Sequence, residues 1–62
     1  MNIYEKLKVL NHDYHLLVEE VLQLEIGDVD TRVNVKTEFA ARAADVIQSM
    51  DRANNTLKPY FP

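Results

Sequence analysis

Three side chains with metal-binding chemistry, His12, His15 and Glu19, follow one another at spacings of three and four residues. On a helix these spacings place all three on one face. Imidazole nitrogens and carboxylate oxygens are common ligands of divalent metals. The chain has no HExxH signature and no evident second set of ligands to close such a site. We therefore interpret these residues as a solvated helix face and predict no bound metal.

Several carboxylates could meet between two packed helices, where clustered acids bind Mg²⁺ or Mn²⁺. They are Glu19, Glu20, Glu25, Glu38 and Asp45. Their spacing does not fit paired ligands on one helix, because Glu20 lies five residues from Glu25 and Arg42 stands three residues before Asp45. A metal-dependent helical-bundle hydrolase is thus only an alternative. The interpretation we favour is that of surface acids.

Nucleophilic and phosphate-binding chemistry has little to build on in this chain. Ser49 is the only serine, Gly27 is the only glycine, and there is no cysteine. No glycine-rich loop can therefore cradle a phosphate or an oxyanion. The sequence predicts a protein that is not an enzyme and carries no cofactor.

Apolar residues in the first part of the chain recur with a period of 3.5 residues, which is typical of a helix packed on other helices. They are Ile3, Leu7, Leu10, Tyr14, Leu17, Val21 and Leu24. Asn2 followed by Glu5 resembles a capping box, with asparagine in place of serine or threonine. Gly27 suits the left-handed residue that ends a helix. We predict a helix over 3–26, followed by a turn over 27–30.

A second apolar series repeats the same period in the other half of the chain. It consists of Phe39, Ala43, Val46, Met50, Ala53 and Leu57, and Tyr60 continues it in sequence. Asp28, Asp30 and Thr31 are all suitable N-caps, whereas Pro59 disfavours helix beyond about Leu57. We predict a helix over 30–57 and an aromatic tail over 58–62. The fold class is all-α, a single domain over 1–62 that forms an antiparallel two-helix hairpin.

The chain is short for an isolated domain, since 62 residues bury only about 60% of the unfolded surface. It is 47% hydrophobic, has a net charge of −3 and lacks disulfides. More apolar residues exist than one hairpin covers, so we predict a homodimer that forms a four-helix bundle. Residues predicted to serve self-association or partner binding are Leu16, Val18, Leu22, Ile26, Val33, Ala40, Ala44, Ile47, Tyr60 and Phe61. No apolar run is long enough to cross a bilayer and no signal peptide is visible, so a cytoplasmic protein is expected.

These features favour a small protein-interaction module, such as a regulator or inhibitor, that binds through a helical face or its tail. The adjacent aromatics Tyr60 and Phe61 could insert into a partner's groove, or instead close the open end of the bundle. One alternative is a nucleic-acid-binding modulator that uses the basic side of the second helix. That side carries Arg32, Lys36, Arg42, Arg52 and Lys58. Interspersed acids and the net negative charge argue against it.

Overall fold

The computed structural model describes all 62 residues as two helices and a short C-terminal turn. Helix α1 spans Ile3–Leu22, and helix α2 spans Val29–Leu57. The helices pack side by side as a hairpin, and the chain contains no strand. The Cα atoms extend over 48 × 19 × 9 Å, so the molecule is one helix thick. Neither helix combines the length and apolarity needed to cross a membrane.

Both helices begin at an acceptor side chain of the kind that satisfies free backbone amides. Asn2 accepts a hydrogen bond from the Glu5 N–H at 2.8 Å, although Glu5 returns none, so only half of the capping box forms. Asp28 caps α2 by accepting the Thr31 N–H at 2.7 Å. The backbone and side-chain hydrogen bonds from Thr31 hold the pKa of Asp28 below its ordinary value.

Helix α1 ends four residues before the predicted boundary at residue 26. Its last turn tightens, with the Gln23 and Leu24 N–H groups donating to the carbonyls three residues earlier. A helix continued to residue 26 would leave Gly27 alone to join α1 to the cap at Asp28. The two steps from Ile26 through Gly27 to Asp28 span at most about 7 Å, whereas packed helices lie about 8–10 Å apart. The connection therefore occupies residues 23–28. Gly27, with φ of 65°, lies immediately before the N-cap of α2 and does not end α1.

The C-terminal residues fold back along the end of the hairpin. Helix α2 ends at Leu57, and Lys58–Tyr60 form one 3-10 turn closed by the Phe61 N–H donating to the Lys58 carbonyl. Pro59 lies inside this turn, consistent with the restriction it imposes on regular helix. The ring of Phe61 stacks on that of Tyr4, with centroids 5.9 Å apart and planes 9° apart.

The contact between the helices is narrow. Ala43 is the only residue that is fully buried, at 2% exposure. Half-buried residues recur along each helix at spacings near 3.5 residues and mark the positions that face the other helix, which we call the inward positions. In α1 they are Tyr4, Leu7, Asn11, Tyr14, Val18, Val21 and Leu22. In α2 they are Arg32, Lys36, Phe39, Ala43, Ile47, Met50, Asn54 and Leu57.

The apolar series predicted from the sequence coincide only in part with the contact face of the hairpin, since Phe39, Ala43, Met50 and Leu57 of the α2 series take inward positions. Leu7, Tyr14 and Val21 do take inward positions. Ile3, Leu10 and Leu17, which alternate with them, are 62%, 57% and 57% exposed. In α2, Val46 and Ala53 are likewise exposed. Helix α1 is thus rotated so that one edge of its apolar series contacts α2 and the other edge is exposed.

Candidate functional site

One broad side of the hairpin is uncovered and carries a row of apolar side chains. The residues of this side each stand immediately before an inward position, which puts them on the same flank of their helix. The apolar ones are Ile3, Leu10 and Leu17 of α1 and Val35, Val46 and Ala53 of α2, and polar residues alternate with them, namely Lys6, Asp13, Glu20, Glu38, Arg42 and Ser49; we call this surface the open face. In two right-handed helices that face each other and run antiparallel, residues preceding the inward positions lie on the same side of the pair. The two flanks therefore form one continuous surface.

The opposite side of the hairpin is polar. There the residues that follow inward positions line an open groove of about 440 Å³ between the helices. Its lining residues are Tyr4, Lys8, Asn11, His12, His15, Asp51, Asn54 and Asn55. The Lys8 Nζ lies 5.5 Å from the centroid of the Tyr4 ring, and Asn11 Nδ2 donates to Asp51 Oδ1 at 2.9 Å. The two sides therefore differ, because the groove is lined mainly by polar side chains, whereas the open face carries the exposed Ile3, Leu10 and Leu17.

The open face contains a shallow hollow of about 240 Å³ on α2. Val35, Glu38, Phe39 and Arg42 line it, at positions i, i+3, i+4 and i+7. Four residues with this spacing form the hole that receives one side chain of a facing helix in knobs-into-holes packing. Glu38 and Arg42 are joined across it by an ion pair at 3.1 Å. The hollow is therefore shaped for a side chain from a helix laid over the open face.

The side chains first considered for metal binding do not converge. No group of three or more histidine, aspartate or glutamate side chains is arranged to hold a metal ion. His12 and His15 both border the polar groove, but their neighbours there are Lys8, asparagines and a single carboxylate, that of Asp51. The two imidazoles and the carboxylate are therefore present at the groove but are not arranged to hold a metal ion.

The residues predicted for association do not form a single surface. Val18, Leu22 and Ile47 are half-buried between α1 and α2. The remaining members of α2 follow inward positions and lie exposed on the side of the polar groove. These are Val33, Ala40 and Ala44. Leu16 is exposed on α1 and Ile26 is exposed in the connection.

The two aromatic residues of the tail, Tyr60 and Phe61, lie in different environments. Phe61 is half-buried against Tyr4 and covers the end of the hairpin, whereas Tyr60 is 77% exposed. Only Tyr60 therefore offers a free aromatic ring to another molecule.

The basic residues of α2 are not gathered on one accessible side. Arg32 and Lys36 occupy inward positions, and Arg32 Nη2 donates to the Gly27 carbonyl at 3.3 Å. Arg42 is paired with Glu38 on the open face. Arg52 and Lys58 are exposed farther along the chain and form no ion pair.

Comparisons of the chain with protein-family models, with curated proteins and with solved structures find no match.

Proposed function

We propose that this chain is a small, non-enzymatic interaction protein that works as a homodimer. Two hairpins pair through their open faces into a four-helix bundle, and the bundle presents its outer surface and Tyr60 to a protein partner. The observation that carries this proposal is the open face, whose Ile3, Leu10 and Leu17 are all more than half exposed. Burying one such side chain contributes about 1.5–3 kcal/mol.

The dimensions of the single chain support the proposal. A monomeric globular protein of 7.2 kDa exposes about 4,100 Å², whereas this chain exposes 5015 Å². Its radius of gyration is 14.9 Å, against about 11 Å for a compact domain of this length. Stable domains bury their apolar surface between two packed layers. One hairpin supplies only one layer.

The area of the open face also fits a specific interface. The broad side of the hairpin measures 48 by 19 Å, or about 900 Å². A standard protein–protein interface buries about 800 Å² on each partner. The surplus surface of the single chain is thus of the size that a second layer of helices would cover.

Sedimentation equilibrium tests the dimer. We expect a mass of about twice 7.2 kDa for the natural chain, and the mass of one chain for the double variant Leu10→Glu, Leu17→Glu. The control is Leu16→Glu, which places one such charge on an exposed leucine outside the open face and should stay dimeric. A natural chain that is monomeric and fully helical at high micromolar concentration would refute the homodimer.

Tyr60 and the outer surface are proposed for the protein partner, in the role of a regulator or inhibitor. The exposed ring supports this, because aromatic side chains provide much of the binding energy at interfaces. Affinity purification of tagged chain from its host should recover one protein that nuclease treatment does not release. Tyr60→Ala should lose that protein while retaining helicity and dimer mass. Loss of the captured material on nuclease treatment would favour a nucleic-acid partner instead.

A further inference from the structure

The two halves of the open face differ in the size of their side chains. Helix α1 contributes a ridge of large residues at seven-residue spacing, Ile3, Leu10 and Leu17, and Leu24 continues it into the connection. Helix α2 contributes Val35, Val46 and Ala53, which are smaller, together with the unfilled hollow between Val35 and Arg42. Well-packed layers set large residues against small ones. The α1 ridge of one molecule is therefore complementary to the α2 half of another.

From this complementarity we infer the arrangement of the homodimer, an inference that rests on the proposed function. Each α1 lies over α2 of the partner subunit, and the two-fold axis runs parallel to the helices. The open face is thus occupied by a second copy of this chain, with the ridge of each α1 seated along the α2 half of the other.

The positions of the residues along the long axis of the hairpin fit this arrangement; residues at the same position on this axis are called level with each other. The hydrogen bond between Asn11 and Asp51 makes these two residues level. A rotation about an axis parallel to the helices keeps every residue at its own level. Leu10 of one molecule therefore comes level with Ala53 of the other, within about one helical turn. By the same count Leu17 comes level with Val46, and Leu24 with the hollow.

The other face-to-face pairing lays α1 on the partner's α1 and α2 on its α2. Large residues then oppose large ones along α1, and the hollows on the two α2 helices remain unfilled, which costs packing contacts. Charge also disfavours that pairing. Helix α1 carries two lysines and four acids, a net charge of −2, whereas α2 carries four basic and four acidic residues, a net charge of zero.

The inferred arrangement gives the bundle two different ends. Both C-terminal tails lie at one end, where each exposed Tyr60 is available, and both 23–28 connections lie at the other. A protein partner that binds through Tyr60 would thus meet two copies of its site on one two-fold symmetric surface. The alternative pairing puts the two tails at opposite ends of a 48 Å molecule.

Distances between spin labels distinguish these cases, since the chain has no cysteine and a single introduced one is labelled uniquely. For Tyr60→Cys we expect a label-to-label distance of about 20–30 Å, close to the 19 Å width of the hairpin. The matched variant Asp30→Cys, at the other end, should give a similarly short distance. Distances of about 48 Å or more at both sites would overturn the inference while leaving the homodimer intact.

Disulfide trapping provides a second measurement that does not depend on label flexibility. Mixing Leu10→Cys chains with Ala53→Cys chains should give a cross-linked heterodimer under mild oxidation. Mixing Leu10→Cys with Leu17→Cys should give little, although the alternative pairing brings those two positions together. Preferential cross-linking of the second mixture would overturn the inferred arrangement. Absence of any dipolar signal together with a monomeric mass would refute the proposed function itself.

Discussion

Asn11 of α1 donates a hydrogen bond from Nδ2 to Oδ1 of Asp51 of α2 at 2.9 Å, and no other side-chain hydrogen bond joins the two helices. The amide sits at an inward position where its neighbours along α1 are apolar or aromatic. Its Oδ1 is buried without a partner. A polar group at such a position fixes the register of paired helices at a cost in stability.

We predict that Asn11→Leu raises the midpoint of urea unfolding, because it removes an unpaired buried oxygen and adds apolar contact. Asp51→Ala in the natural background should lower stability by about 0.5–1.5 kcal/mol through loss of the hydrogen bond. The same Asp51→Ala change should have almost no effect when Asn11 is already leucine. A lower midpoint for Asn11→Leu would mean that the hydrogen bond outweighs the unpaired oxygen. All midpoints are compared at one protein concentration.

Ala43 is the one fully buried residue between the helices, and a larger side chain there should force them apart. We predict that Ala43→Leu destabilises the fold by about 1–3 kcal/mol, the usual effect of overpacking. Ala41→Leu is the matched control, because Ala41 is exposed on the same helix. Urea unfolding followed by circular dichroism measures both. Equal midpoints for the two variants would show that the contact at Ala43 is loose.

The cap at Asp28 should make stability depend on pH in the acid range. The Thr31 hydrogen bonds lower the pKa of Asp28 in the folded chain, so the charged cap stabilises the fold above the unfolded pKa, near 3.9. That contribution is lost as the pH falls from there through the lowered folded value. Asp28→Asn should retain a cap and remove this part of the pH dependence, as measured by thermal melts between pH 2 and 7. An unchanged profile in Asp28→Asn would assign the acid sensitivity to other carboxylates.

The stacked pair of Tyr4 and Phe61 should hold the tail against the start of α1. We predict that Phe61→Ala destabilises the chain by about 0.5–1.5 kcal/mol beyond the loss of buried area. It should also speed proteolysis of the last residues. Tyr60→Ala, at an exposed neighbouring ring, should leave both measurements unchanged. A destabilised Tyr60→Ala variant would place Tyr60 in the structural core of the dimer.

Secondary structure was largely predictable because the signals are local. The Asn2 and Asp28 caps, the 3.5-residue periods and Pro59 each act within about one helical turn, and they indicated the starts of both helices and the end of α2 to within one or two residues. The end of α1 was placed wrongly because it depends on the distance that the connection must cross. That distance is a property of the packed pair, and a single glycine does not reveal it.

The candidate site was harder to predict, because periodicity locates an apolar stripe without saying which neighbour covers it. The sequence predicts that the stripe through Leu10 and Leu17 faces α2 and that residues such as Val18 and Leu22 are left over for association. Rotation of α1 by a fraction of a turn exchanges these roles. The seven-residue spacing of Ile3, Leu10 and Leu17 was the signal available, since it marks one edge of the stripe rather than its center.

A molecule only 9 Å thick between its outermost backbone layers has no interior of its own. On the proposed pairing, each chain is folded to the extent that another is present to meet it, so its folded fraction follows its abundance by mass action. At low concentration the chain would unfold and become accessible to proteases, whereas at high concentration dimer formation would protect it. On that pairing, any activity that requires the folded dimer would appear only above a threshold concentration of the chain.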